Sequence, residues 1–215
     1  MGKSDPQKEM QAQRVKNFMN YQIMDKMTEY ESDFDQMLFY LPLSGSTFKK
    51  VYYDDLLERA VSKFVPADDL IVPYTATSLD DAEAVIHVVK MSENELRKQM
   101  VSGFYSDIEL TKPTDTNTNE LEEKEREVEG LTKSQRVDAM YTILECHVNL
   151  DLEGFEDLGP DGEPTGIKLP YVVTIEEGSR KVLSIRRNFA PNDPKKNKIQ
   201  YFVHFKFLPG LGFYG

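Results

Sequence analysis

A chain of 215 residues has room for one large or two small domains and a sizeable core. Its 40% hydrophobic and 29% charged residues have the balance of a globular protein. A net charge of -11 argues against a chain that grips nucleic-acid phosphates unaided, though not against a ring through which DNA slides. The single cysteine, Cys146, cannot form an internal disulfide, which points to a reducing compartment, and its alternating setting ILECHVNL reads as a packed thiol. No apolar run approaches the roughly 18 to 20 residues that span a bilayer. The opening MGKSDPQKEM lacks an apolar signal core.

Residues 6–28 space Met10, Val15, Phe18, Met19, Tyr21, Ile23, Met24 and Met27 at three- and four-residue steps behind Pro6, a first-turn residue. The pattern predicts an amphipathic helix. A second follows over Glu29–Tyr40, with Tyr30, Phe34, Met37 and Leu38 on one side, and Pro42 with LSGS is expected to end it. From Thr47 the period shortens. TFKKVYYDD, AVSKFVP and LIVPYT read as short strands, with 47–53 paired to 60–65 as a hairpin. Another strand is expected at 83–90. Ser92 and Glu95 then form a capping box for the helix ENELRKQMVSG, closed by Gly103.

Residues 112–134 hold almost no large apolar side chain and centre on the charge run LEEKEREVE, read as a mobile acidic insertion. Beyond it MYTILECHVNLDL, YVVTIEE, KVLSIRRNF and KIQYFVHFKFL read as four successive strands, with a tight hairpin at Glu177-Gly178-Ser179. The class is therefore α+β: N-terminal helices, short antiparallel strands, then a C-terminal antiparallel meander. The linear division is a helical segment 1–45, a small α+β unit 46–111, the insertion 112–134 and an antiparallel β unit 135–215.

Catalytic signals are poor. His87, His147 and His204 each sit in a separate alternating run, and no HExxH, paired CxxC, GxSxG or P-loop occurs. The acids Asp151, Glu153, Glu156, Asp157, Asp161 and Glu163 offer oxygen ligands without the spacing of a helix–loop–helix calcium site. They read as a solvated hairpin loop. No catalytic residue, cofactor or metal ligand is assigned. Arg180, Lys181, Arg186, Arg187, Lys195, Lys196, Lys198 and Lys206 stand against one acid, Asp193, in the last stretch of an acidic chain. They are read as a candidate contact surface for an acidic neighbour, such as the charge run of another copy.

The chain then ends on YFVHFKFLPGLGFYG, where strand-like alternation passes into an apolar, glycine-punctuated run. With NYQI, LPLSGSTFKKVYYDD, FVPADDLIVPYTATSLDDAEAVIHVVKMSENELRKQM and IRRNFAPNDPKKNKIQYFVHFKFLPGLGFYG, it resembles the portal proteins of tailed bacteriophages, of the podovirus type. The resemblance runs over most of residues 17–215 and is weakest in 112–134. It implies the wing-like α+β part of a subunit truncated at its C-terminus. Phe207, Leu208, Leu211, Phe213 and Tyr214 would then pack on a missing remainder. It implies no enzyme activity and no cofactor. It implies a ring of about a dozen copies at one capsid vertex, assembled in the bacterial host cytoplasm and carried in the virion. Terminase, capsid and tail or adaptor proteins would be its partners, with double-stranded DNA passing through the channel and no membrane involved. Two other readings compete: an α+β adaptor module that binds a basic partner through its acidic surface, and a metal-dependent hydrolase using the 151–163 carboxylates with His147.

Overall fold

The computed structural model describes residues 5–111, 140–208 and 213. Within them the class is α+β, with N-terminal helices, antiparallel strands and a C-terminal antiparallel sheet. The acidic insertion 112–134 lies outside the described residues, as do Leu211 and Tyr214. No helix among the described residues is long and apolar enough to cross a membrane.

The chain forms two compact units, and neither is continuous in sequence. The first takes residues 1–70, 74–82 and 200–215; the second takes 71–73 and 83–199. This departs from the linear division at 46–111 and 135–215. Strand pairing, a long-range interaction, sends one strand back to the start of the chain.

The first unit opens with α1 (Pro6–Tyr21), N-capped by Asp5, whose carboxylate accepts from the Gln7 amide. One π-turn, Gln22–Lys26, continues it. Helix α2 (Tyr30–Ser44) follows after only Met27, Thr28 and Glu29. It runs through Pro42 rather than stopping there, because the loss of one helical bond near an exposed end is cheap. Gly45, at φ 74°, supplies the left-handed residue that ends it, its amide returning to the Leu41 carbonyl.

Strand β1 (Ser46–Asp54) pairs with β2 (Arg59–Pro66) in the expected hairpin. Asp54 ties the turn by accepting from the amides of Leu56 and Leu57. On the other side of β1 lies β8 (Phe202–Lys206), antiparallel, giving the order β2-β1-β8. Met37, Phe48, Val61, Val65, Leu70 and Phe202 are among the buried apolar side chains of this unit.

The second unit is built on β4 (Ala84–Met91), β5 (Tyr141–Leu150), β6 (Leu169–Glu176) and β7 (Lys181–Arg187), consecutive neighbours in one sheet. The two-residue β3 (Leu70–Ile71), of which only Ile71 belongs to this unit, stands next to β4 in the strand order. The four-stranded meander is thus real, but its members are β4–β7. The last strand, expected as its fourth member, is β8 of the other sheet. Helix α3 (Glu93–Val101) carries both halves of the capping box between Ser92 and Glu95. Leu96 and Met100 bury against Tyr105, Tyr141, Ile143 and Leu183. The opposite face of the sheet packs Cys146, Leu169, Tyr171 and Val173. Between Thr174 and Ile175 the register to β7 slips, so Leu183 is the extra residue of a bulge, turned fully into the α3 core.

Candidate functional site

Strand alternation places His87, Glu145 and His147 on the α3 side of the second unit's sheet, His87 directly opposite Glu145. His147 is buried, and its Nε2 lies 2.7 Å from Glu145 Oε1. The pair reads as a satisfied polar contact in a packed sheet. Cys146 points the other way, into the apolar cluster, where burial pushes its thiol upward in pKa, away from the reactive thiolate.

The acidic loop resolves into internal bonds. Asp157 receives the Lys196 ammonium and the Thr165 hydroxyl, both of which hold its carboxyl below the usual range. Leu158 and Pro164 form an isolated antiparallel bridge, and the Gly159 amide donates to the Glu163 carbonyl. Among the described residues no three His, Cys, Asp or Glu side chains converge in a way that could hold a metal ion. The hydrolase reading finds no geometry there.

Several residues of the basic stretch are committed to neighbours within their own unit. Arg186 lays its guanidinium 3.6 Å over the Phe104 ring and donates to the Phe104 carbonyl at 2.9 Å. Lys181 donates to the Glu109 carbonyl, and Arg187 lies over the Phe155 ring at 5.7 Å. Lys196 is engaged by Asp157. Arg180, in the hairpin turn at φ 55°, and Lys195 remain exposed, while Lys198 is half-buried. Lys206 belongs to the other unit altogether. The stretch is continuous in sequence but not as one surface. The 104–110 segment it holds runs beside the outer edge of β7, where the Ser106 amide donates to the Leu183 carbonyl.

At the end of the chain Phe207 and Leu208 are exposed. Phe213 corrects the expectation: it is buried, with its ring stacked 4.8 Å from His204 and 5.9 Å from Phe48. Stacking on these two rings takes its apolar surface out of water within the chain itself. His204 in turn lies 2.5 Å from the fully buried Ser46 hydroxyl. Burial first, and Lys206 second, lower its pKa to about 4.

Two features went unread in the sequence. One is a cage at the start of α2. Lys49, 5% exposed, points its ammonium at the stacked rings of Tyr30 and Phe34, 4.2 and 5.3 Å from their centroids. Burial lowers its pKa, while Asp33 and Glu29 act in the opposite direction. The second feature is surface. No side chain of α1 is buried, and α2 turns Phe39 (70% exposed) and Leu43 (72% exposed) outward. The spacing signal was present: Tyr30, Asp33, Phe34, Met37 and Leu41 make one inward stripe, which leaves Glu31, Asp35, Phe39 and Leu43 on the other side.

Among the described residues the arrangement offers packed polar pairs and uncovered helix surface rather than a convergent reactive centre. No protein family and no curated protein matches the chain.

Proposed function

We propose that the chain is part of a self-assembling structural subunit, the phage portal ring that its quoted segments resemble. The observation that carries this is the exposed apolar surface of the N-terminal helices. Phe18 is 59% exposed, and Phe39 and Leu43 more so, on neighbouring elements of one unit. Large apolar side chains left on the surface of successive helices point to a protein–protein contact. An acidic chain lining or flanking a passage for DNA avoids gripping the phosphates, which suits transit. In this reading the ring docks the packaging motor, passes double-stranded DNA and joins head to tail, with no chemistry of its own.

Native mass spectrometry of the intact subunit tests the proposal. A closed ring of about a dozen copies is the expected result. A stable monomer at all accessible concentrations overturns it and brings forward the adaptor module with an acidic surface.

A further inference from the structure

We infer that α1 of one copy seats in parallel along the outward stripe of α2 of a second copy, with Arg14 beside Asp35 and Phe18 beside Phe39. This rests on the self-assembly reading and names the surfaces it would use.

Three observations lead to it. The first is that α1 presents an unpartnered stripe. Lys8, Gln11, Val15 and Phe18 recur at three- and four-residue steps on one side of the helix, with Arg14 flanking them. Gln11, Arg14, Val15 and Phe18 line one shallow hollow on its surface. Val15 and Phe18 are largely exposed.

The second observation is complementary charge and polarity. Between Pro6 and Tyr21 the charged residues are Lys8, Glu9, Arg14 and Lys16, a net positive helix in a chain of net charge -11. Between Tyr30 and Ser44 they are Glu31, Asp33 and Asp35, with no cation. In α1 the cations run from Lys8 to Lys16 with Phe18 and Met19 beyond them, and in α2 the acids run from Glu31 to Asp35 with Phe39 and Leu43 beyond them. A parallel alignment matches basic to acidic and apolar to apolar. A single offset then places Arg14 at Asp35 and Phe18 at Phe39, with Lys8 within reach of Glu31.

The third observation excludes the chain's own α2 as the occupant. Packing α1 parallel to the helix that follows it requires the connection to run back the length of α1. Its 16 residues are about 24 Å long at 1.5 Å per residue. The three residues between the π-turn and α2 reach only about 10 Å. Asp33, Phe34 and Met37 are turned inward: Asp33 accepts from the Phe64 amide, the Phe34 ring flanks the Lys49 ammonium and Met37 is buried. The outward stripe of α2 therefore stays available to another copy.

The test uses two single-cysteine chains in a Cys146→Ala background, one carrying Phe18→Cys and the other Phe39→Cys. They are mixed, mildly oxidised and resolved by non-reducing electrophoresis, with the assembly mass of the wild-type chain measured in parallel. A disulfide joining the two kinds of chain is expected. Arg14→Glu should weaken association about tenfold, and Arg14→Glu with Asp35→Arg should restore it. Circular dichroism confirms that these surface substitutions leave the fold intact. A ring without the 18–39 disulfide, indifferent to Arg14→Glu, overturns this contact and leaves the portal reading standing. A dimer with the disulfide supports the contact and overturns the ring. A monomer throughout overturns both.

Discussion

The Lys49 ammonium lies 4.2 Å from the centroid of the Tyr30 ring, on the central strand of its sheet, with the Phe34 ring parallel to that of Tyr30 behind it. The cation–π contact partly offsets the desolvation of a buried cation, but replacing such a cation with a well-packed apolar side chain is often neutral or stabilising. Lys49→Met should therefore change stability by between zero and about +2 kcal/mol. Lys49→Ala, which leaves a cavity against both rings, should cost about 2–3 kcal/mol. Urea denaturation of the two variants decides it. A large loss for the methionine variant would show that the charge, not the volume, holds α2 to β1.

Arg59 meets Glu29 with both guanidinium nitrogens at 2.8 Å, tying the start of α2 to β2. The Arg59 hydrogen bond is the main cause holding the Glu29 carboxyl below its usual range. Both side chains are half-buried, so the pair should exceed an open surface ion pair. A double-mutant cycle with Glu29→Gln and Arg59→Met should give a coupling of about 1 kcal/mol. A coupling near zero would mean that the two residues are held in place by their helix and strand alone.

Arg186 was expected to serve a partner, yet its guanidinium faces Phe104 of its own unit. Arg186→Ala should loosen the 104–110 segment by about 1 kcal/mol without unfolding the sheet. Hydrogen exchange at the Ser106 amide, which donates to Leu183, reads this directly. Faster exchange confined to that segment is the expected outcome. Unchanged protection would return Arg186 to the pool of candidate contact residues.

His204 is neutral in the fold at pH 7 because its pKa falls to about 4 from the model-peptide value of about 6.5. The unfolded chain therefore binds more protons between those values, so stability rises with pH across that window. The contribution is complete above about 6.5 and lost as pH falls toward 4. After discounting for partial exposure it amounts to about 1–2 kcal/mol. Melting temperature measured from pH 7 to 4.5 should fall less in His204→Phe than in the wild-type chain. Parallel curves would remove His204 from the acid response.

Local rules carried much of the fold into the sequence. The capping box at Ser92, the hairpin of β1 and β2 and the left-handed Gly103 depend on residues a few positions apart, and each is where its pattern put it. What escaped was long-range. FVHFK has the same alternation whichever sheet receives it, so nothing local distinguishes pairing with β7 from pairing with β1. The helix end expected at Pro42 with LSGS falls inside LSGS: the helix passes Pro42, and Gly45 carries the left-handed cap. Charge counts along 180–206 missed the partners that fold toward them, Asp157 and Phe104, which lie 39 and 82 residues away. The cage at Lys49 escaped because KK in a strand assigns one lysine inward without saying which.

The pairing of β8 with β1 has a consequence for the order of synthesis. Ser46 and His204, which meet across that ladder, are 158 residues apart. A ribosome delivers β4 to β7 in the order in which they pair, so their sheet can close as the chain emerges. The β1–β2 hairpin, made far earlier, must wait with one side of its central strand unpaired until β8 has been synthesised. Through that interval the nascent chain carries an open strand edge, the feature most prone to wrong pairing. Of the described strands, β1 therefore waits longest for its last partner.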